Sequence, residues 1–407
     1  MNWRAHQRTT FLVASGLSTA GSFAGLTAKG WILIDGSNNP MLLALHFAVL
    51  AMPTLLVSGP AGVMTDRLGC ESVLIRSQWG LFGAGLLGAI AIPLTDGGLQ
   101  VSLLLLSTLL VGIASAYELS ARNKYCALLV ESPEQLAPYL TSFSVVFNVG
   151  KLVGPPLGGW LLAWTGAGTA LAIDAATFLL PIASVLWLLS PDRSREQRSA
   201  PGASASLRAA WTSSGPVLRH VLRFTAVACL VGFFHPGLAP LMARDLLGPS
   251  PQALGLFTSV LAAGSISGGL VLQRHSRWLS QRPALLLGSC TLITALAQLG
   301  LARFSQPSTS GLGLAATFAI GAGTASLLSG VNLISQVGSP MAIRGRMAGL
   351  GQIAFLGGGG LSGLMAAALS LMIGLQATMA LLGGTGLVLG LLELQRRHQL
   401  RLELRSA

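Results

Sequence analysis

The chain has 407 residues, of which 52% are hydrophobic and only 9% charged, with a mean hydropathy of +0.68 and a net charge of +12. Soluble domains carry about 25% charged residues, and a soluble protein this apolar has too few polar groups to cover its surface, so an aqueous globular fold is excluded. The basic residues sit between hydrophobic runs rather than along one face, which excludes nucleic-acid binding as the reason for the charge.

At roughly 20 apolar residues per membrane-spanning helix, a chain of this length fits about twelve spans. Hydropathy places them at 9–34, 42–65, 73–95, 99–121, 136–163 and 168–190, then at 221–242, 253–273, 283–303, 310–336, 347–371 and 376–395. The runs are long and apolar all round, which separates them from the short alternating segments of a membrane barrel. Backbone groups in hydrocarbon must bond within their own segment, so the expected class is all-α.

The first span follows the N-terminus directly, with no small-x-small cleavage pattern, and is expected to stay uncleaved. It carries Lys29 in its outer part, followed by Trp31, a candidate contact for an aromatic substrate or an anchor at the outer interface. A charge at mid-bilayer costs about 2.5–3.5 kcal/mol, so Lys29 faces a cavity, finds a partner or snorkels to the interface. The second span contains His46, which titrates in the range useful for proton coupling, and ends in Gly62-Val63-Met64-Thr65-Asp66-Arg67-Leu68-Gly69. Gly62 is expected to allow close helix packing, and Asp66 to hold a basic group in one conformation and release it in another. The fourth span brings Glu118, a candidate proton carrier, then Ala121-Arg122-Asn123.

In the fifth span Asn148, a polar candidate for the substrate or proton pathway, precedes Gly150-Lys151-Leu152-Val153-Gly154-Pro155-Pro156-Leu157-Gly158-Gly159. Glycines at i, i+4 and i+8 make a groove for another helix, and the two prolines are expected to bend the helix. The sixth span holds Asp174 within Asp174-Ala175-Ala176-Thr177-Phe178. Counted along their spans, Lys151 and Asp174 lie at similar depth, so a Lys151–Asp174 pair is expected.

Residues 191–220 are rich in Pro, Ser, Gly and Arg and read as a flexible cytoplasmic linker. They divide an N-terminal six-helix bundle, 1–190, from a C-terminal one, 221–407. In the seventh span Phe233 and Phe234 are candidate contacts for an aromatic substrate, and His235 before Pro236 favours a helix break at a cavity. The eighth span closes on Gly269-x-x-x-Gln273-Arg274, which echoes Gly62-x-x-x-Asp66-Arg67 and points to a duplicated unit. Asn332 and Gln336 are polar candidates in the tenth span. Arg344-Gly345-Arg346-Met347-Ala348-Gly349-Leu350 opens the eleventh, which also holds the polar candidate Gln352. The chain closes on Glu393-Leu394-Gln395-Arg396-Arg397.

With the N-terminus in the cytoplasm, 21 of the 25 Lys and Arg fall inside and only Arg244 and Arg303 outside. That asymmetry places both termini in the cytoplasm. The four cysteines form no CxxC, and neither a phosphate-binding G-x-x-x-x-G-K-[ST] loop nor H-E-x-x-H or G-x-S-x-G occurs. The chain therefore reads as neither an ATP-driven pump nor an enzyme, with no cofactor and no metal. Its partners are the bilayer, a small-molecule substrate and protons, not nucleic acid, and it is expected to work as a monomer.

The Gly62–Gly69 segment resembles the loop signature of the major facilitator superfamily, although Cys70-Glu71 stand where that family carries further basic residues. Gly150–Gly159 resembles the superfamily's antiporter signature. The 121–123, 174–178, 344–350 and 393–397 segments are similar to the branch that includes the enterobactin exporter. The resemblance implies twelve helices in two pseudo-symmetric six-helix bundles in a bacterial inner membrane, the first, fourth, seventh and tenth lining a cavity. It implies alternating access and export of a siderophore or amphipathic drug by proton antiport. The alternative is a proton-coupled importer of a small nutrient in the same fold.

Overall fold

The computed structural model describes residues 3–37, 39–130, 133–188, 211–212, 214–232, 238–338 and 344–396. Among them there is no strand. The first half contains α1 (Trp3–Ser37), α2 (Pro40–Leu68), α3 (Cys70–Leu94), α4 (Gly97–Leu129), α5 (Pro133–Thr165), α6 (Ala167–Thr177) and α7 (Leu179–Ala183), which runs into a π-helical turn, Ser184–Leu188. The second half contains α8 (Pro216–Val231), α9 (Ala239–Leu247), α10 (Pro251–Arg274), α11 (Ser276–Ser280), α12 (Pro283–Arg303), α13 (Ser310–Val337), α14 (Arg344–Ile373) and α15 (Leu375–Gln395).

Nine helical stretches among the described residues are long and apolar enough to cross a bilayer, and Pro40–Pro53 and Leu361–Ile373 are shorter apolar ones. Taking α6, α7 and the π turn as one interrupted span, and α8 with α9 as another, gives the twelve expected. The observed helices outrun the hydropathic cores, most clearly α1 and α4, because charged residues such as Arg8, Arg122 and Lys124 end the apolar run before the helix ends. Many hydroxyls inside the spans are satisfied locally: Thr19, Thr27 and Thr108 each donate to the carbonyl four residues back, at 2.8–2.9 Å.

The chain divides into two compact units. The first comprises residues 1–39, 49–203 and 254–256, and the second residues 40–48, 204–253 and 257–407. Within the first unit, α5 lies along α1, and α3 packs against α4 and α6. Within the second, α14 packs on α8, and α12 on α13 and α15. The same helices of each set of six choose the same partners, as expected of a duplicated unit. Gly166 and Gly374 reinforce this: each precedes the sixth helix of its set, at φ 79 and φ 85, a region that favours glycine.

One end of the first unit is filled by Phe11, Val73, Leu74, Tyr125, Tyr139 and Phe143. Phe11 meets Tyr125 edge-on at 5.2 Å, and Tyr139 donates to the Arg8 carbonyl at 3.0 Å, tying α5 to the start of α1. In the second unit Leu222, Cys229, Leu287, Cys290, Val331 and Ile334 form the core. All four cysteines are buried thiols.

In the seventh span α8 ends at Val231, capped by Gly232, and the next described helix, α9, begins at Ala239. A helix end at membrane depth leaves carbonyls that water cannot reach. Side chains of α12 and α15 satisfy them. Gln298 Nε2 donates to Gly232 O at 2.8 Å, and Thr385 Oγ1 donates to Val231 O.

Candidate functional site

The Gly62–Gly69 segment forms the end of α2 and its turn into α3. Gly69 caps α3 at φ 87, so a glycine is needed there for backbone reasons alone. Arg67 is exposed in the last turn of α2. Gly62 differs from its expected role: a Cβ there would meet only Ser120 Oγ, at 3.9 Å. It is not a close-packing contact. The side chains of Asp66, Asn148, Gln336 and Gln352 lie outside the described residues, as do Phe233, Phe234 and His235.

The α5 glycines act as packing residues. α1 and α5 run parallel, from Phe11 against Phe143 to Ala24 against Gly158. A Cβ on Gly150 would approach Thr19 Cγ2 to 2.8 Å, and one on Gly154 would approach the Ala20 carbonyl to 2.6 Å. One on Gly158 would collide with the Ala24 carbonyl. Gly159 is buried next to it. The helix runs through Pro155 and Pro156 without interruption. Their missing N–H groups need only local adjustment when a neighbouring helix buries the same turn.

The intramembrane charges are arranged differently from expectation. Asp174 does not pair with Lys151. Lys151 is exposed on α5, while Asp174 (5% exposed) is the electrostatic partner of Lys29 (1% exposed). Depth counting put Lys151 and Asp174 level, but direction around the helix decides contact. Gly150 and Gly154 face α1, so the intervening Lys151 is turned about 100° away from α1 at 3.6 residues per turn.

Four helices build the Lys29 site. Lys29 Nζ donates to Ser107 Oγ on α4 at 2.7 Å, and Ser107 Oγ donates to the Ala84 carbonyl on α3 at 2.5 Å. The hydroxyl proton is thus committed, and Ser107 serves Lys29 only as an acceptor. Gly88 on α3 leaves room for the lysine stem: a Cβ there would lie 3.1 Å from Lys29 Cε. The Asp174 carboxylate lies where a side chain of Gly25, one turn before Lys29, would stand. Asp174 Oδ1 is buried with no hydrogen-bond partner among the described residues. Above the site Ala28, Leu33, Ala89, Leu104 and Leu171 close the bundle, and below it Leu81, Ala84, Val111 and Phe178 do so.

Other candidates have ordinary surroundings. Glu118 pairs with Arg122 one turn on, at 3.2 Å, and Arg122 lies over the Phe143 ring. His46 is fully buried on α2 beside the Phe47 ring, and Trp31 is buried rather than at an interface. Asn332 is half-buried on α13. Sequence reasoning missed Ser107, Gly25 and Gly88, and also His220, whose Nε2 lies 2.9 Å from Glu393 Oε1 and joins α8 to α15. The spacing Gly21-x-x-x-Gly25-x-x-x-Lys29 held the signal for the first site: on α6, Thr177 meets Gly21 and Asp174 meets Gly25. No group of His, Cys, Asp and Glu suited to a metal occurs among the described residues.

Known proteins agree with this architecture. The family described as Transmembrane secretion effector matches residues 4–405. The chain is 26% identical over 390 residues to the multidrug efflux pump Tap of Mycolicibacterium fortuitum, covering 91% of each chain. It is 21% identical over 273 residues to the staphyloferrin A transporter of Staphylococcus aureus, covering 66% of this chain and 67% of that one. Among solved structures, a bacterial homolog of the human lysosomal transporter Spinster, inward-facing and unoccupied, superposes with a TM-score of 0.73 at 14% identity over 99% of both chains.

Proposed function

We propose that this chain, which belongs to the transmembrane secretion effector family of the major facilitator superfamily, exports a small amphipathic molecule across the bacterial inner membrane in exchange for protons. It is a multi-pass membrane transporter and not an enzyme. The substrate class, a drug-like compound or a siderophore, is supported by the efflux pump and the staphyloferrin transporter among its relatives.

The observation that carries export is the α5 stripe. Gly150, Gly154 and Gly158 seat α5 on the backbone of α1, giving a smooth seam along which two helices can pack closely. This is the segment that resembles the antiporter signature. A carrier with no nucleotide site draws on an ion gradient or runs downhill, and protons suit the buried ionisable groups of the first unit. The distribution of Lys and Arg supports both termini in the cytoplasm. Each chain carries both six-helix sets, which supports a working monomer.

Cells expressing the chain are expected to retain less ethidium than cells without it, and the difference should vanish when a protonophore is added with ATP held constant. Higher retention would mean import, and export indifferent to the protonophore would remove the antiport reading. Under iron limitation, a deletion strain should retain more siderophore if that is the physiological cargo. The Asp66→Asn variant is expected to export more slowly at near-normal expression. Loss of folded protein instead would make the loop structural only.

A further inference from the structure

We propose that Asp174 is the group that takes up and releases the coupling proton, and that Lys29 is its internal counter-charge, switched between Asp174 and Ser107. The inference rests on the antiport reading above and names its site.

The geometry separates the two carboxylate oxygens. Asp174 Oδ2 is packed against α1 at Gly25, whereas Oδ1 is buried without a hydrogen-bond partner among the described residues. An oxygen with unused lone pairs in a buried site is where an arriving proton binds. Lys29 has one hydrogen-bond acceptor in Ser107 and one electrostatic partner in Asp174. When a proton forms an O–H bond at Oδ1, the carboxylate charge is gone. The ammonium then holds only a neutral hydroxyl, in a bundle closed by apolar residues on both sides. A buried cation without a counter-charge is unfavourable enough to drive a change of packing. Lys29 and Gly25 lie on α1, which also carries the α5 seam, so relief by movement of α1 is transmitted to that seam. Loss of the proton to the opposite side breaks the O–H bond and restores the pair. One proton crosses per cycle, and no other reactant is required.

The site is isolated from competing charges. On α1 the next ionisable group is Asp35, exposed at the helix end. On α3 Glu71 and Arg76 lie at the opposite end, and on α4 Glu118 pairs with Arg122, with Lys124 beyond. On α5 Lys151 is exposed, and Asp174 is the one ionisable residue of α6.

The test uses the full-length purified protein. Infrared difference spectra between mildly alkaline and mildly acidic buffer are expected to show a carboxylic-acid C=O band that disappears in Asp174→Asn and returns, shifted, in Asp174→Glu. In proteoliposomes with ethidium as probe, whatever flux Asp174→Asn retains should have lost its response to an imposed pH gradient. Asp174→Asn leaves Lys29 unpaired, so Lys29→Met/Asp174→Asn, which removes both charges, keeps the test valid if the single variant does not fold. A band that persists in Asp174→Asn, or gradient-responsive flux in the folded double variant, overturns the proposal. So does the absence of any such band in the wild type, whatever the variants do. If the wild type itself ignores the pH gradient, it is the antiport reading that fails.

Discussion

Gly158→Ala is expected to lower the unfolding temperature of the detergent-solubilised protein markedly and to abolish transport, although it adds a single methyl group. That methyl would collide with the Ala24 carbonyl on α1, and the Ala24 Cα lies only 2.9 Å from the same point. The obstacle is backbone, so no side-chain rotation relieves it and α1 itself must move. Overpacking of this kind costs about 1–3 kcal/mol, and the seam offers little slack nearby, because Gly154 and Gly150 are also in close contact with Ala20 and Thr19. Gly62→Ala, in the loop signature, is the control. A Cβ there finds one atom at 3.9 Å, and the residue is helical, so alanine should be neutral or slightly stabilising by up to about 1 kcal/mol. Equal effects at the two positions would show that the α1–α5 seam is not the rigid contact described.

Much of the fold could be read from the sequence because hydrocarbon imposes one strong rule on every span. Hydropathy located the helices, and the echo of Gly62–Arg67 in Gly269–Arg274 anticipated the matched packing of α1 on α5 and α8 on α14. It could not locate the end of α4, which continues past the expected 121 because Arg122, Asn123 and Lys124 interrupt the apolar run before Tyr125–Leu129 resume it. Nor could it show that α8 ends as early as Val231, where Gln298 and Thr385 from other helices take up the terminal carbonyls. The candidate site was legible by residue type and not by partner. Lys29 and Asp174 stood out as costly charges, but depth along a span says nothing of azimuth, and azimuth gave Asp174 to Lys29. Ser107 carried no signal at all, because one serine in an apolar helix is usually satisfied by its own backbone, as Ser102 is by Gly98.

The second large effect concerns the stability of that pair. Lys29→Met should destabilise the folded protein by up to about 3–5 kcal/mol, because removing the ammonium leaves the buried Asp174 carboxylate without its nearby counter-charge. Methionine fills the volume of the lysine stem against Gly88, so the loss is electrostatic rather than a cavity. Adding Asp174→Asn removes the stranded carboxylate, and the double variant should recover most of the lost stability. The amide occupies the same space over Gly25 and no longer needs a cation. Thermal unfolding in one detergent, measured for wild type, both single variants and the double, gives the coupling energy directly. Strong non-additivity is the expected outcome. Additive losses would mean that Lys29 is held by Ser107 alone and that Asp174 is stabilised elsewhere in the bundle. Lys151→Met serves as the reference for a lysine with no such tie. It is exposed on α5, so its removal should leave stability nearly unchanged and should not be rescued by Asp174→Asn.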